Sequence, residues 1–132
     1  MTIRHATGAD LPFLQAHDHH IAPAELQRSV EAGRVLIAEK IWPVGWLRWG
    51  LFWDNTPMCN LLYVLEPHRH NGLGAALMAR WEQEVADYPF VLVSTQSDED
   101  AQHFYRRLGY RDAGARLLPA EPAELFFWKG LR

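Results

Sequence analysis

Arg69, Gly72 and Gly74 form the cluster in this chain best suited to holding a charged ligand. They lie between an apolar run, Leu61 to Val64, and an amphipathic stretch from Leu73 to Ala86. A glycine-rich loop that opens a helix leaves backbone N–H groups without intrahelical partners, and the helix dipole adds partial positive charge at that end. Such an end attracts phosphate. Gly72 and Gly74 carry no Cβ and let an anionic group approach the backbone, while Arg69 supplies a fixed charge alongside. A phosphorylated ligand is therefore expected. The GxxxxGK[ST] of a Walker loop and the three-glycine dinucleotide fingerprint are both absent. An unrelated α/β domain that uses the loop for some other nucleotide remains an alternative on these residues alone.

A second cluster, His17, Asp18, His19 and His20, gathers three imidazoles in one loop. No further group at ligand spacing completes a coordination sphere, so a solvated helix-to-helix turn is expected there and no metal.

Periodicity and turn chemistry indicate the strands and helices around the glycine loop. Thr2 to Ala6 reads as a first strand, Leu11 and Leu14 as the buried face of a short helix ending near His17, and Pro23 as the opening of a second helix capped by Gly33. Val35 to Glu39 and Val44 to Trp53 read as a hairpin. The second strand has apolar residues on both faces, so core packing is the simplest use of Trp46 and Trp49. The same aromatics could also wall a ligand pocket or build a homodimer surface. Met58 to Val64 leads into the loop, and Leu73, Leu77, Trp81 and Val85 form the apolar stripe of the following helix. Phe90 to Thr95 is a buried-strand signal that implies a parallel crossover. Ser97 or Asp98 then caps a helix through Leu108, and Arg111 to Leu118 and Leu125 to Lys129 supply the last two strands.

Composition bounds the function. At 132 residues the chain, 1–132, suits one domain, and 48% hydrophobic with 22% charged residues is ordinary for a soluble globular protein. With 13 Lys+Arg against 16 Asp+Glu, the net charge of −3 offers no basic field for nucleic acid. Cys59 is the single cysteine, and neither a signal peptide nor a membrane-length apolar run is present, so a cytoplasmic location without a membrane partner is expected.

The arrangement Arg69-x-x-Gly72-x-Gly74, strand before and helix after, resembles the acetyl-CoA-binding motif of the GCN5-related N-acetyltransferases, the GNAT family. Ala101 to Tyr110 (AQHFYRRLGY) resembles that family's second signature. The resemblance implies a mixed, mostly antiparallel sheet with a splayed parallel strand pair at its centre, built of about six or seven strands with about four helices. It implies acetyl-CoA as co-substrate, with its phosphates on Arg69, His70, Asn71, Gly72, Leu73, Gly74 and Ala75. A bulged strand carrying Leu62, Tyr63 and Val64 would then pair with the pantetheine arm. The implied reaction is acetyl transfer to a primary amine of a small molecule, peptide or protein, with Tyr105 as general acid. A catalytically silent acyl-CoA-binding regulatory module is the alternative. Two departures stand out: Glu66 occupies a place where the family often has proline, and Asp98 a place where it often has asparagine. Asp54, Glu66 and His20 could border the opening, and the base is not assigned among them.

Overall fold

Val35 to Ala38 alternate between two cores, Leu36 and Ala38 packing into one and Val35 and Ile37 into the other. A strand that is apolar on both faces has to be covered on both. The computed structural model, which describes residues 1–132, shows how. In chain order it runs β1 (Thr2–His5), α1 (Leu11–His17), α2 (Pro23–Glu31), β2 (Val35–Glu39), β3 (Pro43–Phe52), β4 (Thr56–Val64), α3 (Leu73–Glu84), β5 (Phe90–Gln96), α4 (Ala101–Arg107), β6 (Arg111–Arg116) and β7 (Glu124–Gly130). The strands form one 7-stranded sheet in the order β1-β2-β3-β4-β5-β7-β6. Only β4 and β5 are parallel neighbours.

Helices α1 and α2 cover one face, where Leu14 and Leu26 pack with Ile37 and Trp46. Helix α3 covers the other through Leu77, Met78 and Trp81, which are sealed from solvent, and α4 adds Tyr105 there. Full burial of such a side chain contributes roughly 1.5–3 kcal/mol, so the α3 stripe is what holds the glycine loop in place. The mixed sheet, the parallel crossover and the apolar stripe all match the sequence expectation.

Four local details differ from it. The aromatic strand is core only in its middle: Trp46 is buried, whereas Trp42 and Trp53 are 66% and 80% exposed. Trp53 and Asp54 both have positive φ, 54° and 64°, and form the tight hairpin turn that carries Trp53 out of the sheet. Neither Ser97 nor Asp98 caps α4, whose N-cap is Asp100 with no side-chain bond. The Gln102 amide ties this turn instead, donating to the carbonyls of Ser97 (2.9 Å) and Glu99 (3.2 Å). Strand β6 stops at Arg116, leaving Leu117 and Leu118 exposed. Finally, the histidine turn is not wholly solvated, because Asp18 is buried within it.

Two features open the sheet at its centre. Across β3 and β4, Arg48 faces Leu61 and Trp49 faces Cys59, so Asn60 is an extra residue and β4 bulges there. Between β4 and β5 only Met58↔Leu92 and Cys59↔Val93 pair. Past Cys59 the two strands part.

Candidate active site

The parting strands expose backbone on the free side of β4. The Leu65 N–H donates to the Val44 carbonyl at 2.8 Å, and antiparallel alternation then turns the N–H and C=O groups of Leu62 and Val64 away from β3 and into the gap. Two cavities meet there.

The first, about 740 Å³, is walled by Leu62, Tyr63 and Val64 and floored by the glycine loop and the first turn of α3. Arg69, His70, Gly72, Leu73, Gly74 and Ala75 all line it, and Phe104 and Tyr105 close its far side. Asn71 does not line it; its side-chain amide reaches the His68 carbonyl at 3.5 Å. Gly72 is the helix N-cap with φ of 80°, a left-handed backbone that disfavours any residue with a Cβ. At Gly74 a Cβ would stand 3.4 Å from the Phe104 ring, an ordinary contact distance, so the fold does not demand glycine there as it does at Gly72. The first N–H to bond back along the helix at this end is that of Ala76, to the Gly72 carbonyl. The amides of Leu73, Gly74 and Ala75 are the orphan donors of the first turn. Arg69 is held rather than free, its Nε donating to the Val64 carbonyl at 2.7 Å and its guanidinium 5.0 Å from the centre of the Tyr63 ring.

The second cavity, about 520 Å³, lies on the other side of the gap and includes His20, Asn60, Glu99 and Glu124 in its lining. Leu62, Tyr63, Glu99, Ala101 and Tyr105 line both cavities. Tyr105 is 5% exposed. Burial, with the nearby Cys59 and Glu99, holds its phenol well above the usual tyrosine range, so it carries its proton at neutral pH. Cys59, at the apex of the gap, is also buried, and burial pushes its thiol up to about 12. A thiol in that state is a poor nucleophile.

The wall of the second cavity that carries His20 is braced by a buried ion pair that has no sequence signature. Asp18 and Arg48 are 4% and 6% exposed and meet at 3.0 Å. Trp46 Nε1 donates to the same carboxylate at 3.3 Å, and its other oxygen accepts the His20 backbone N–H at 3.2 Å. The turn that carries His20 is thereby anchored to the middle of β3.

Of the three residues considered for a base, only His20 lines the second cavity. Asp54 sits in the β3–β4 turn at the opposite end of β4, and Glu66 lines neither cavity. Asp98 also lines neither. Glu99 and Glu124 were missed by sequence reasoning. The one available signal was that Glu99 lies just beyond the C-terminal end of a central strand, where α/β sheets place their ligands.

The family model for the acetyltransferase (GNAT) domain matches residues 31–112, more than half of the chain. The chain belongs to the GNAT acetyltransferase family. GNAT structures share its fold across its length. A ribosomal-protein-alanine N-acetyltransferase from Brucella melitensis is 22% identical, with 98% of this chain and 99% of that one covered and a TM-score of 0.81. Ard1 from Thermoplasma volcanium is 18% identical, with 98% and 96% covered and a TM-score of 0.82. The N-acetylglutamate synthase of Neisseria gonorrhoeae, solved with coenzyme A and N-acetyl-glutamate, is 15% identical over 99% of this chain and 35% of its own, with a TM-score of 0.84. No curated protein matches this chain significantly. As a GNAT enzyme the chain is an acetyl-CoA-dependent acetyltransferase.

Proposed function

We propose that this enzyme moves the acetyl group of acetyl-CoA to a primary amine, with the donor in the larger cavity, the amine in the smaller, and Tyr105 between them. The observation that carries this reading is that Tyr105, buried and protonated, lines both cavities at the point where β4 and β5 part. The first-turn amides of α3 and the cation of Arg69 suit the pyrophosphate of the donor. Leu62 and Val64 offer the pantetheine arm the backbone edge that β5 leaves unpaired, and their N–H groups are preorganised donors of the kind an acyl-transfer oxyanion requires.

An alkylammonium has a reference pKa near ~10.4 and must lose a proton before its nitrogen can attack the acetyl carbon. That proton goes to solvent; as the new C–N bond forms and the C–S bond breaks, the Tyr105 phenol gives its proton to the departing thiolate, and the second proton shed by the acylated nitrogen restores the phenol. Tyr105 suits this role because its phenol stays protonated through the neutral range. The test is acetyl-CoA-dependent thiol release over a panel of primary amines and peptide N-termini. Turnover with at least one acceptor is expected, and tight coenzyme A binding without turnover on any of them would leave a binding module.

A further inference from the structure

The acceptor cavity differs in charge from its neighbour. Its lining contains Glu99 and Glu124 and no lysine or arginine, whereas in the donor cavity Arg69 and Arg107 balance Glu99 and Asp100. The two carboxylates share a rim. Glu124 stands opposite Gln96 in the β5–β7 register, and the Gln96 N–H donates to Glu99 Oε1 at 3.3 Å. Glu124 is half-buried, and Arg116, opposite it in β6, forms no ion pair with it. From the interior the buried Tyr105 is aimed into the same space, and its hydroxyl takes no hydrogen-bond partner from the chain. His20 lines the opposite wall, held there by the bond from its backbone to Asp18.

We infer that the acceptor is an amine with a second positive charge close by and no neighbouring carboxylate, recognised by Glu99 and Glu124 at the end of β5. The inference rests on the assignment of this cavity to the acceptor. Two carboxylates on one wall favour a dication electrostatically and repel an acidic substrate, so the discrimination comes from both attraction and exclusion. Glu99 also borders the donor cavity, which places the reacting ammonium beside it and beside Tyr105, and leaves the second cation to Glu124. A free alkyl diamine and a peptide N-terminus followed by a basic residue present the same chemistry.

The experiment compares kcat/KM for putrescine, n-butylamine and γ-aminobutyrate, which share a four-carbon chain and differ in charge, alongside the dipeptide amides Ala-Lys and Ala-Glu. The expected order is putrescine above butylamine above γ-aminobutyrate, or Ala-Lys above Ala-Glu if only chain ends are accepted, with each unit of charge changing the rate by about tenfold at low salt. Glu124→Gln should erase most of that ranking by raising the KM of the cationic acceptor, with the KM for acetyl-CoA unchanged. Thermal melting of the variant checks that it folds, and Glu99→Gln provides a second substitution on the same rim. A flat or reversed ranking in the wild-type enzyme, or a ranking that survives both substitutions, overturns the inference and leaves acetyl transfer itself standing. No turnover on any acceptor sinks the functional reading and this inference with it.

Discussion

The two cavities that meet at Tyr105, the larger proposed for the donor and the smaller for the acceptor, are built in opposite ways. The donor cavity comes largely from one contiguous stretch, β4, the glycine loop and the start of α3, and its recognition chemistry is mostly backbone: orphan amides, an unpaired strand edge and one tethered arginine. The acceptor cavity is assembled from the α1–α2 turn, the bulge at Asn60, the end of β5 and the start of β7, and its chemistry is mostly side chain. Backbone recognition places few demands on residue identity beyond glycine where φ is positive. Side-chain recognition can be re-specified one residue at a time. One half of such a site can stay constant in kind while the other is free to vary.

The comparison can be broken first at the shared residue. Tyr105→Phe should lower kcat by about 10²–10⁴-fold with both KM values little changed, the range of a lost general acid. An unchanged kcat in steady-state assays would remove Tyr105 from the chemistry. Asp18→Ala comes next. It leaves Arg48 buried without its partner, a change that costs on the order of 3–5 kcal/mol. Chemical denaturation should show that loss, and the acceptor KM should rise while the acetyl-CoA KM stays put. On the donor side, Gly72→Val forces a β-branched residue to a φ of 80°, at a cost of roughly 1–2 kcal/mol. Acetyl-CoA affinity measured by calorimetry should weaken by about tenfold, and an unaltered Kd would show that the loop conformation does not matter for binding.

The smallest effect belongs to a control remote from both cavities. The Arg4 guanidinium, hydrogen-bonded to Asp10, holds that carboxyl below its usual range. A depressed carboxyl contributes stability that is present above its unfolded pKa of about 3.9 and is lost as pH falls through its folded value. Melting curves between neutral pH and pH ~3 should therefore fall more steeply for the wild type than for Asp10→Asn, by roughly 1 kcal/mol or less, as for a partly exposed pair. Neither KM should move.

The contrast also explains what could be read in the sequence. The donor half was legible because its residues are neighbours in the chain and Gly72, its helix N-cap, is dictated by a left-handed dihedral. The order of elements and the stripe Leu73, Leu77, Trp81, Val85 were legible from periodicity. The acceptor half was not. Asp18 and Arg48 are 30 residues apart, and a buried pair looks like two surface charges until the fold joins them. Glu124 lies in the last strand, and only the insertion of β7 beside β5 brings it to Gln96. The bulge at Asn60 depends on register across β3, which side-chain types do not record.

The joint between β4 and β5 has a mechanical consequence. Two residue pairs are all that hold the β1–β4 half of the sheet to the β5–β7 half through backbone; α3 packs mainly on the first half and reaches the second through the shared apolar cluster and the Glu82–Lys129 pair. A molecule lying along the free edge of β4 does the work of a missing strand, so occupancy should be felt as cohesion of the whole sheet rather than of one loop. Saturation at about 100 times Kd adds roughly 2.7 kcal/mol to global stability by linkage alone. In hydrogen exchange, the amides of Leu62, Val64 and Ser94, on the two lips of the gap, should be among those whose protection rises most when the donor is bound.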